Sequence, residues 1–138
     1  MLFRSKQTVI DQGYEREIEA TVKTVAKLRK AGIRMVVGGD YGISIAPHGT
    51  YAKDLEYFVE YFDMRPLEAL MCATNYGGLA FDPAGSVGTL AEGSFADLVI
   101  VDGQPDQDIR VLQAHDRLTV TKGGVIYKGL ANPNPYLA

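Results

Sequence analysis

Three residues between positions 40 and 48 have side chains that can do chemistry: Asp40, Tyr41 and His48. A carboxylate can bind a divalent metal ion or accept a proton from water, and an imidazole can bind a metal or exchange a proton near neutral pH. Asp40 lies in a glycine-rich run, residues 38–42, and His48 follows in the next loop. Nearness in sequence does not fix their geometry, and no residue beside them stands out as a nucleophile.

The other chemically capable side chains give weaker signals. His48 and His115 are the two histidines of the chain, and neither belongs to a His-X-His pair or to any metal-ligand spacing. His115 stands in a polar stretch, which favours an exposed surface position. Cys72, the one cysteine, cannot form an internal disulfide, and its apolar neighbours indicate a small buried hydrophobic residue rather than a nucleophile.

The elements before Asp40 would place it at the end of a buried strand. Residues 14–31 carry apolar side chains at helical spacing, and Gly32 suits the left-handed position that ends a helix. Residues 33–37 are short, apolar and rich in β-branching without strict alternation, which predicts a buried parallel strand. Asp40 would then follow the carboxyl end of this strand, where parallel α/β folds place their active sites.

The elements after Asp40 are predicted to be two helices and a small β unit. Thr50 is predicted to cap the first helix and Pro66 to begin the second, which would end at Gly77 and Gly78. Tyr51 and Tyr41 could shape a pocket, with plain aromatic packing as the alternative. The β unit comprises a strand at residues 96–101, a hairpin at residues 118–127 and an irregular end at residues 132–135.

Composition narrows the class of protein. The chain has 138 residues, of which 46% are hydrophobic, enough for one domain with a core. A net charge of -3 gives no broad basic face, so nucleic acid is not an expected partner. Residues 1–6 have no sustained apolar stretch after their charges, and no segment has the length of a membrane span. We therefore expect a cytoplasmic protein without a membrane partner.

Three stretches of the chain carry a family resemblance. They are Gly38-Gly39-Asp40 with Pro47-His48-Gly49-Thr50, then Pro66-Leu67-Glu68-Ala69-Leu70 with Ala73-Thr74, then Gly88-Thr89-Leu90-Ala91-Glu92-Gly93 leading into Ala96-Asp97-Leu98-Val99. In this order, with helices of suitable length between them, they resemble the C-terminal region of the amidohydrolase superfamily. The resemblance is to the metal-dependent hydrolases of the imidazolonepropionase and prolidase-like kind.

The resemblance implies an α/β fold. The chain would be the C-terminal part of a (β/α)8 barrel followed by a small β-sandwich segment. Residues 1–85 would hold the last barrel strand and its helices, and residues 86–138 would form the C-terminal segment of the β-sandwich.

The resemblance also implies a chemistry. Asp40 would bind a divalent metal ion, with zinc as the expected metal, and would act as general base toward the metal-bound water that attacks a C–N bond of an amide, peptide-like or cyclic amide substrate. Tyr41 and His48 would contact this small molecule. The His-X-His pair and the other ligands of the family are missing from this sequence, so the metal would bind only if they are supplied elsewhere.

Three interpretations of the chain remain open. In the preferred one it is a portion of a hydrolase, inactive alone, and the remainder is supplied by another chain or is absent through truncation of the gene. Its uncovered apolar faces would favour association with a complementing chain or into a homo-oligomer. In the second it is a non-catalytic oligomeric remnant that acts as a binding or interaction module. In the third it is a small enzyme that uses Asp40 and His48 without a metal. Judged from the residues alone, Asp40 could also simply cap backbone N–H groups of its glycine-rich turn.

Overall fold

The computed structural model describes residues 13–44 and 46–129, which combine helices with a small antiparallel sheet. The helices are α1 (Tyr14–Lys30), α2 (Lys53–Phe62), α3 (Pro66–Ala73) and α4 (Asn75–Phe81), and the strands are β1 (Leu98–Val101), β2 (Leu118–Lys122) and β3 (Val125–Lys128). Two 3₁₀-helices, Ile109–Gln113 and His115–Arg117, lie between β1 and β2. The N-terminal residues 1–6 and the predicted irregular end at residues 132–135 lie outside the described part. Among the described residues, every helix is too short or too polar to span a bilayer.

The chain divides into two compact units, Met1–Arg34 and Met35–Ala138. In the described part of the first, α1 confirms the predicted helix. The C-terminal end of this helix is capped as expected, because Gly32 has a φ of 77° and the Ile33 N–H donates to the Leu28 carbonyl at 3.0 Å. The sequence therefore placed this end of the helix within one residue.

The predicted strand at residues 33–37 is wrong for the described chain, because these residues form no strand. A parallel strand is held by hydrogen bonds to its neighbours, and the described sheet consists of β1, β2 and β3 in antiparallel order. Ile33 and Val36 are 53% and 48% exposed, whereas Val37 packs against the core of the second unit. Apolar β-branched residues alone do not make a strand without a partner.

The core of the second unit lies where α2, α3 and the first 3₁₀-helix meet. Leu55, Ala69 and Ile109 are buried together, one from each of these elements. Partly buried apolar side chains surround them: Val37, Phe58, Val59, Leu70 and Leu112. The predicted apolar face of α2 is confirmed by this packing.

The start of α2 differs from the prediction. Thr50 does not cap the helix, which begins at Lys53. The Thr50 hydroxyl instead donates to the Pro47 carbonyl at 2.8 Å, while the Lys53 N–H donates to the Thr50 carbonyl at 3.0 Å. Thr50 thus forms the turn that precedes the helix, because its hydroxyl is already used within that turn.

The α3–α4 segment corrects a second expectation. Pro66 begins α3 as predicted, and the Glu68 carboxylate accepts the Arg65 N–H at 2.8 Å to satisfy that helix end. The helix does not end at Gly77 and Gly78, because α3 ends at Ala73 and α4 includes both glycines. Glycine occurs at position 78 of the helix because of packing, since a Cβ there would lie 2.3 Å from the Val87 carbonyl oxygen.

The sheet confirms the predicted strand and hairpin. Antiparallel pairing runs β1-β2-β3, with Val99 opposite Val120 and Lys122 opposite Val125. The hairpin turns through Gly123 and Gly124, which both have positive φ. The assignments of these elements to a barrel and a sandwich, and the predicted boundary between residues 85 and 86, stay predictions.

Candidate functional site

The loop of residues 38–52 carries all three predicted site residues. Asp40 is exposed, Tyr41 is partly buried and His48 is exposed. The Gly42 N–H donates to the Ala46 carbonyl at 2.9 Å, and the Ala46 N–H donates to the Ile43 carbonyl at 3.0 Å. These two hydrogen bonds fold the loop back on itself, so that His48 returns to the backbone near Gly42.

Tyr51 joins two of the predicted residues. Its ring meets the Tyr41 ring edge-on, with 4.5 Å between centroids, and its hydroxyl oxygen lies 2.7 Å from His48 Nδ1. The pair of substrate-contact candidates, Tyr41 and His48, is therefore brought together through Tyr51. Asp40 neighbours this cluster in sequence.

The Tyr41 hydroxyl faces a carboxylate from the start of α2. Partial burial, a hydrogen bond to Asp54 and the negative charge of Asp54 raise the pKa of Tyr41 to about 12. Tyr41 therefore remains a neutral phenol at physiological pH. A Cβ on Gly39 would lie 3.2 Å from both Asp54 Oδ2 and Tyr41 Cε2, so glycine leaves room for this pair. The Tyr41 oxygen also lies 3.5 Å from the Tyr51 carbonyl, a long hydrogen bond.

The loop residue after His48 contacts the segment between β1 and β2. His115 Nε2 lies 3.1 Å from the carbonyl oxygen of Gly49, the residue that follows His48. His115 is exposed, as predicted, yet it contacts the loop. This contact spans 66 residues of sequence, so no local pattern could have revealed it.

The side chains of the described chain do not fit a complete metal centre. No group of three or more His, Cys, Asp or Glu residues that could hold a metal ion occurs within residues 13–44 and 46–129. Asp40 can offer one carboxylate, and His48 has Nε2 left after Nδ1 has bonded to Tyr51. A zinc ion usually needs three or four protein ligands, so further ligands would have to come from residues outside this sequence.

A separate cleft of about 430 Å³ lies along α2 and the first 3₁₀-helix. Its lining contains none of the three predicted site residues and consists of Glu56, Val59, Glu60, Pro66, Gln107, Asp108, Ile109 and Arg110. Two of its carboxylates are already engaged, because Glu56 accepts hydrogen bonds from Lys53 and Gln113 and Asp108 forms an ion pair with Arg110 at 2.8 Å. The hydrogen bonds from Lys53 and Gln113 lower the pKa of Glu56.

The sequence profile described as "Amidohydrolase family" matches residues 6–130. The chain belongs to the amidohydrolase family. This match confirms the resemblance carried by the three motifs, and it includes the whole loop that holds Asp40, Tyr41 and His48.

Two curated relatives agree with the family assignment. The ochratoxinase of Aspergillus niger is 39% identical over 102 residues, which are 72% of this chain and 20% of that protein. The imidazolonepropionase of Ralstonia nicotianae is 32% identical over 82 residues, which are 59% of this chain and 20% of that protein. The chain thus spans about a fifth of the length of these relatives.

Solved structures of the family share the fold of this segment. The crystal structure of A. niger ochratoxinase matches with a TM-score of 0.72 and 35% identity, over 82% of this chain and 26% of that chain. A prolidase-like protein of Bifidobacterium longum matches with a TM-score of 0.69 and 28% identity, over 83% of this chain and 27% of that chain.

Two residues that contact the Tyr41–Tyr51–His48 cluster were not identified from the sequence. Asp54 was not considered, although it lies on the first turn of α2 beside the loop. Gly42 was considered only as part of the glycine-rich run, although its backbone is what the His48 ring packs against. The i, i+3 spacing of His48 and Tyr51 was the one available signal for their contact, since a turn brings such positions together. The roles predicted for Asp40, Tyr41 and His48 stay predictions.

Proposed function

We propose that this chain is the C-terminal portion of a metal-dependent amidohydrolase that hydrolyses C–N bonds in small molecules. The observation that carries the proposal is the family match across residues 6–130, which includes the Asp40 loop. The names of the relatives point to small-molecule substrates of different kinds, so we propose amides, peptide-like compounds or cyclic amides as the class. The chain spans a fifth of those relatives, and its own activity is proposed to require the remainder.

Within this proposal Asp40 is a metal ligand and the general base, and Tyr41 and His48 contact the substrate. The metal, zinc by our proposal, would supply an acidified water as nucleophile. The Asp40 carboxylate is exposed, so it can bind a metal ion whose other ligands come from another chain. The missing ligands would come from a complementing chain, because a further copy of this chain carries the same two histidines and no His-X-His pair.

A second candidate function is a binding or interaction module without catalysis. The observation that favours it is the exposure of apolar side chains on the sheet, where Val99 and Ile100 are 57% and 58% exposed. Apolar surface of this kind on a soluble domain is typical of an interface. The two candidates differ in one measurable respect, because only the first depends on Asp40.

The decisive experiment is a chimera of A. niger ochratoxinase in which the matched segment is replaced by the aligned residues of this chain. We expect the chimera to retain the activity for which ochratoxinase is named and to lose it when metal is removed by a chelator. Asp40→Asn should reduce kcat/KM on the order of 100-fold or more, since a positioned general base contributes about that much. Asp102→Asn, which removes an exposed carboxylate in the turn after β1, is the matched control.

Two controls make the outcome interpretable. Circular dichroism and thermal unfolding of each variant report whether the chimera has folded. Native mass spectrometry of the unfused chain reports its bound metal, copy number and any second polypeptide. A folded, active chimera whose Asp40→Asn variant keeps full activity would remove Asp40 from the mechanism. A folded chimera without activity, beside an unfused chain that forms a metal-free oligomer, would favour the binding module.

A further inference from the structure

The Tyr51 hydroxyl forms a hydrogen bond with one ring nitrogen of His48, Nδ1. The distance from the Tyr51 hydroxyl oxygen to His48 Nδ1 is 2.7 Å, which is within hydrogen-bond range. The other ring nitrogen, Nε2, forms no second hydrogen bond within the described residues. In a neutral imidazole one nitrogen carries the proton and the other accepts, so the Tyr51 contact decides what Nε2 can do.

Acid–base chemistry favours Tyr51 as the donor of this hydrogen bond. A phenol is a much stronger acid than a neutral imidazole N–H, and an imidazole nitrogen is a much stronger base than a phenol oxygen. The O–H···N arrangement is therefore preferred over N–H···O. With Nδ1 accepting, the proton of the neutral ring is on Nε2, which becomes a hydrogen-bond donor rather than a base.

The surrounding contacts hold both partners in place. Tyr41 meets the Tyr51 ring edge-on at 4.5 Å, which restricts the direction of the Tyr51 hydroxyl. On the opposite side of the imidazole, a Cβ built on Gly42 would lie 2.7 Å from His48 Nε2, so the bare backbone of Gly42 is what admits the ring. The His115 contact to the Gly49 carbonyl at 3.1 Å anchors the chain immediately after His48.

We propose that Tyr51 is a positioning residue that donates its hydroxyl proton to His48 Nδ1 and so sets Nε2–H to donate a hydrogen bond to a carbonyl or carboxylate oxygen of the substrate. The substrate part of this proposal rests on the proposed hydrolase function. It assigns His48 to recognition of the oxygen of an amide or acid group, and it excludes His48 from the roles of general base and metal ligand through Nε2. Nothing in the primary motif distinguishes these roles, because Tyr51 lies outside the Pro47-His48-Gly49-Thr50 stretch.

The first test uses the unfused full chain and needs no activity. Nitrogen-15 NMR of histidine-labelled protein at alkaline pH distinguishes the two neutral tautomers of His48, with His48→Gln used to assign the signal. We expect the Nε2–H form, with Nδ1 shifted as a hydrogen-bond acceptor, and we expect Tyr51→Phe to abolish that acceptor shift. Tyr61→Phe, which changes an exposed tyrosine on α2, should leave the spectrum as it is. A dominant Nδ1–H form, or a spectrum that Tyr51→Phe does not alter, would overturn the proposal.

The second test uses the ochratoxinase chimera and addresses the substrate. Tyr51→Phe should raise KM roughly 2- to 10-fold, the range expected for one neutral hydrogen bond, with little change in kcat, since a lost binding contact weakens ground and transition state alike. His48→Leu should raise KM further, and His48→Gln should restore part of the loss because its amide can still donate. A fall in kcat at constant KM in these variants would overturn the recognition role and indicate participation in the chemical step.

The two tests separate failure of this inference from failure of the proposed function. If the chimera is inactive while the NMR experiment shows the Tyr51-dependent Nε2–H tautomer, the hydrolase function fails, the substrate role of His48 fails with it, and the positioning of His48 by Tyr51 stands. If the chimera is active and the tautomer is absent, the hydrolase function stands and this inference fails.

Discussion

Gly42 shows how a single backbone position can control a neighbouring side chain. It has a φ of 92°, a conformation that side-chain-bearing residues rarely adopt, and its missing Cβ is where His48 Nε2 approaches. Gly49 has nearly the same φ, 93°, but the nearest atom to its virtual Cβ is His115 Cε1 at 3.9 Å, an ordinary contact. Gly42 and Gly49 therefore share the same backbone strain, and only Gly42 has a close contact with a side chain.

We predict that Gly42→Ala and Gly49→Ala destabilise the chain to a similar extent, by about 1–2 kcal/mol each from left-handed strain. Because the atom in the way of Gly42→Ala is the free end of a histidine side chain, the ring can swing aside at small further cost. Only Gly42→Ala should therefore break the Tyr51–His48 contact. Chemical denaturation measures the first effect and the NMR tautomer signal of His48 measures the second. Loss of that signal in both variants would show that the loop as a whole, rather than Gly42, places His48.

The Asp82 carboxylate makes the stability of the fold depend on pH. The N–H groups of Ser86 and Ala84 donate to its carboxylate at 2.9 and 3.0 Å and lower its pKa. A group whose pKa is lower in the folded state stabilises the fold above its unfolded pKa, about 3.9, and loses that contribution as the pH falls through the folded value. Asp82→Asn should therefore be less stable than the parent at pH 7, with the gap closing in strong acid. Thermal unfolding across that range tests this, and a gap independent of pH would contradict it.

For helices and strands, the sequence predicted what depends on local pattern and missed what depends on distant partners. Helix α1 and the β2–β3 hairpin were predicted because periodicity and turn glycines specify them within a few residues. Residues 33–37 were predicted as a strand from composition, but a parallel strand needs neighbours that the described chain does not provide. The Tyr41–Tyr51–His48 cluster was predicted only as separate residues, since its geometry depends on how the loop folds.

Gly77 and Gly78 illustrate the same limit and yield a prediction about α4. Both glycines were interpreted as a helix end, yet they lie inside α4. Gly78 packs against the Val87 backbone so closely that a Cβ on Gly78 would lie 2.3 Å from the Val87 carbonyl oxygen. Gly78→Ala must push two backbone segments apart and should cost roughly 1–3 kcal/mol. Gly77→Ala meets only the Cys72 carbonyl at 3.2 Å, and its gain of about 1 kcal/mol in helix propensity should offset that contact. Urea denaturation of both variants tests the difference, and equal stabilities would show that α4 shifts freely.

Burial is sparse across the described residues. Six apolar residues of the described chain are buried, among them Leu55, Ala69 and Ile109, whereas the sheet leaves large apolar side chains in water. Ile100 pairs with Thr119 and Ile126 pairs with Thr121, so both isoleucines lie on one face of the sheet. They are 58% and 40% exposed. A face of this kind is stabilised when another surface covers it, which connects the fold to the proposal that the chain functions in an assembly.

We predict that the purified chain associates through this face of the sheet. Covering the two isoleucines removes apolar surface from water at about 25 cal/mol per Å², a gain that a lone monomer forgoes. The double variant Ile100→Thr with Ile126→Thr keeps β-branching at both positions, so the strands should persist while the driving force for association falls. Native mass spectrometry at micromolar concentration should show an oligomer for the parent and a larger monomer fraction for the double variant. Leu90→Thr is the matched control, because Leu90 is 89% exposed but lies in a loop outside the strands. If the parent is monomeric at every concentration, copies of this chain do not cover the sheet, and the complementing chain becomes the partner to seek.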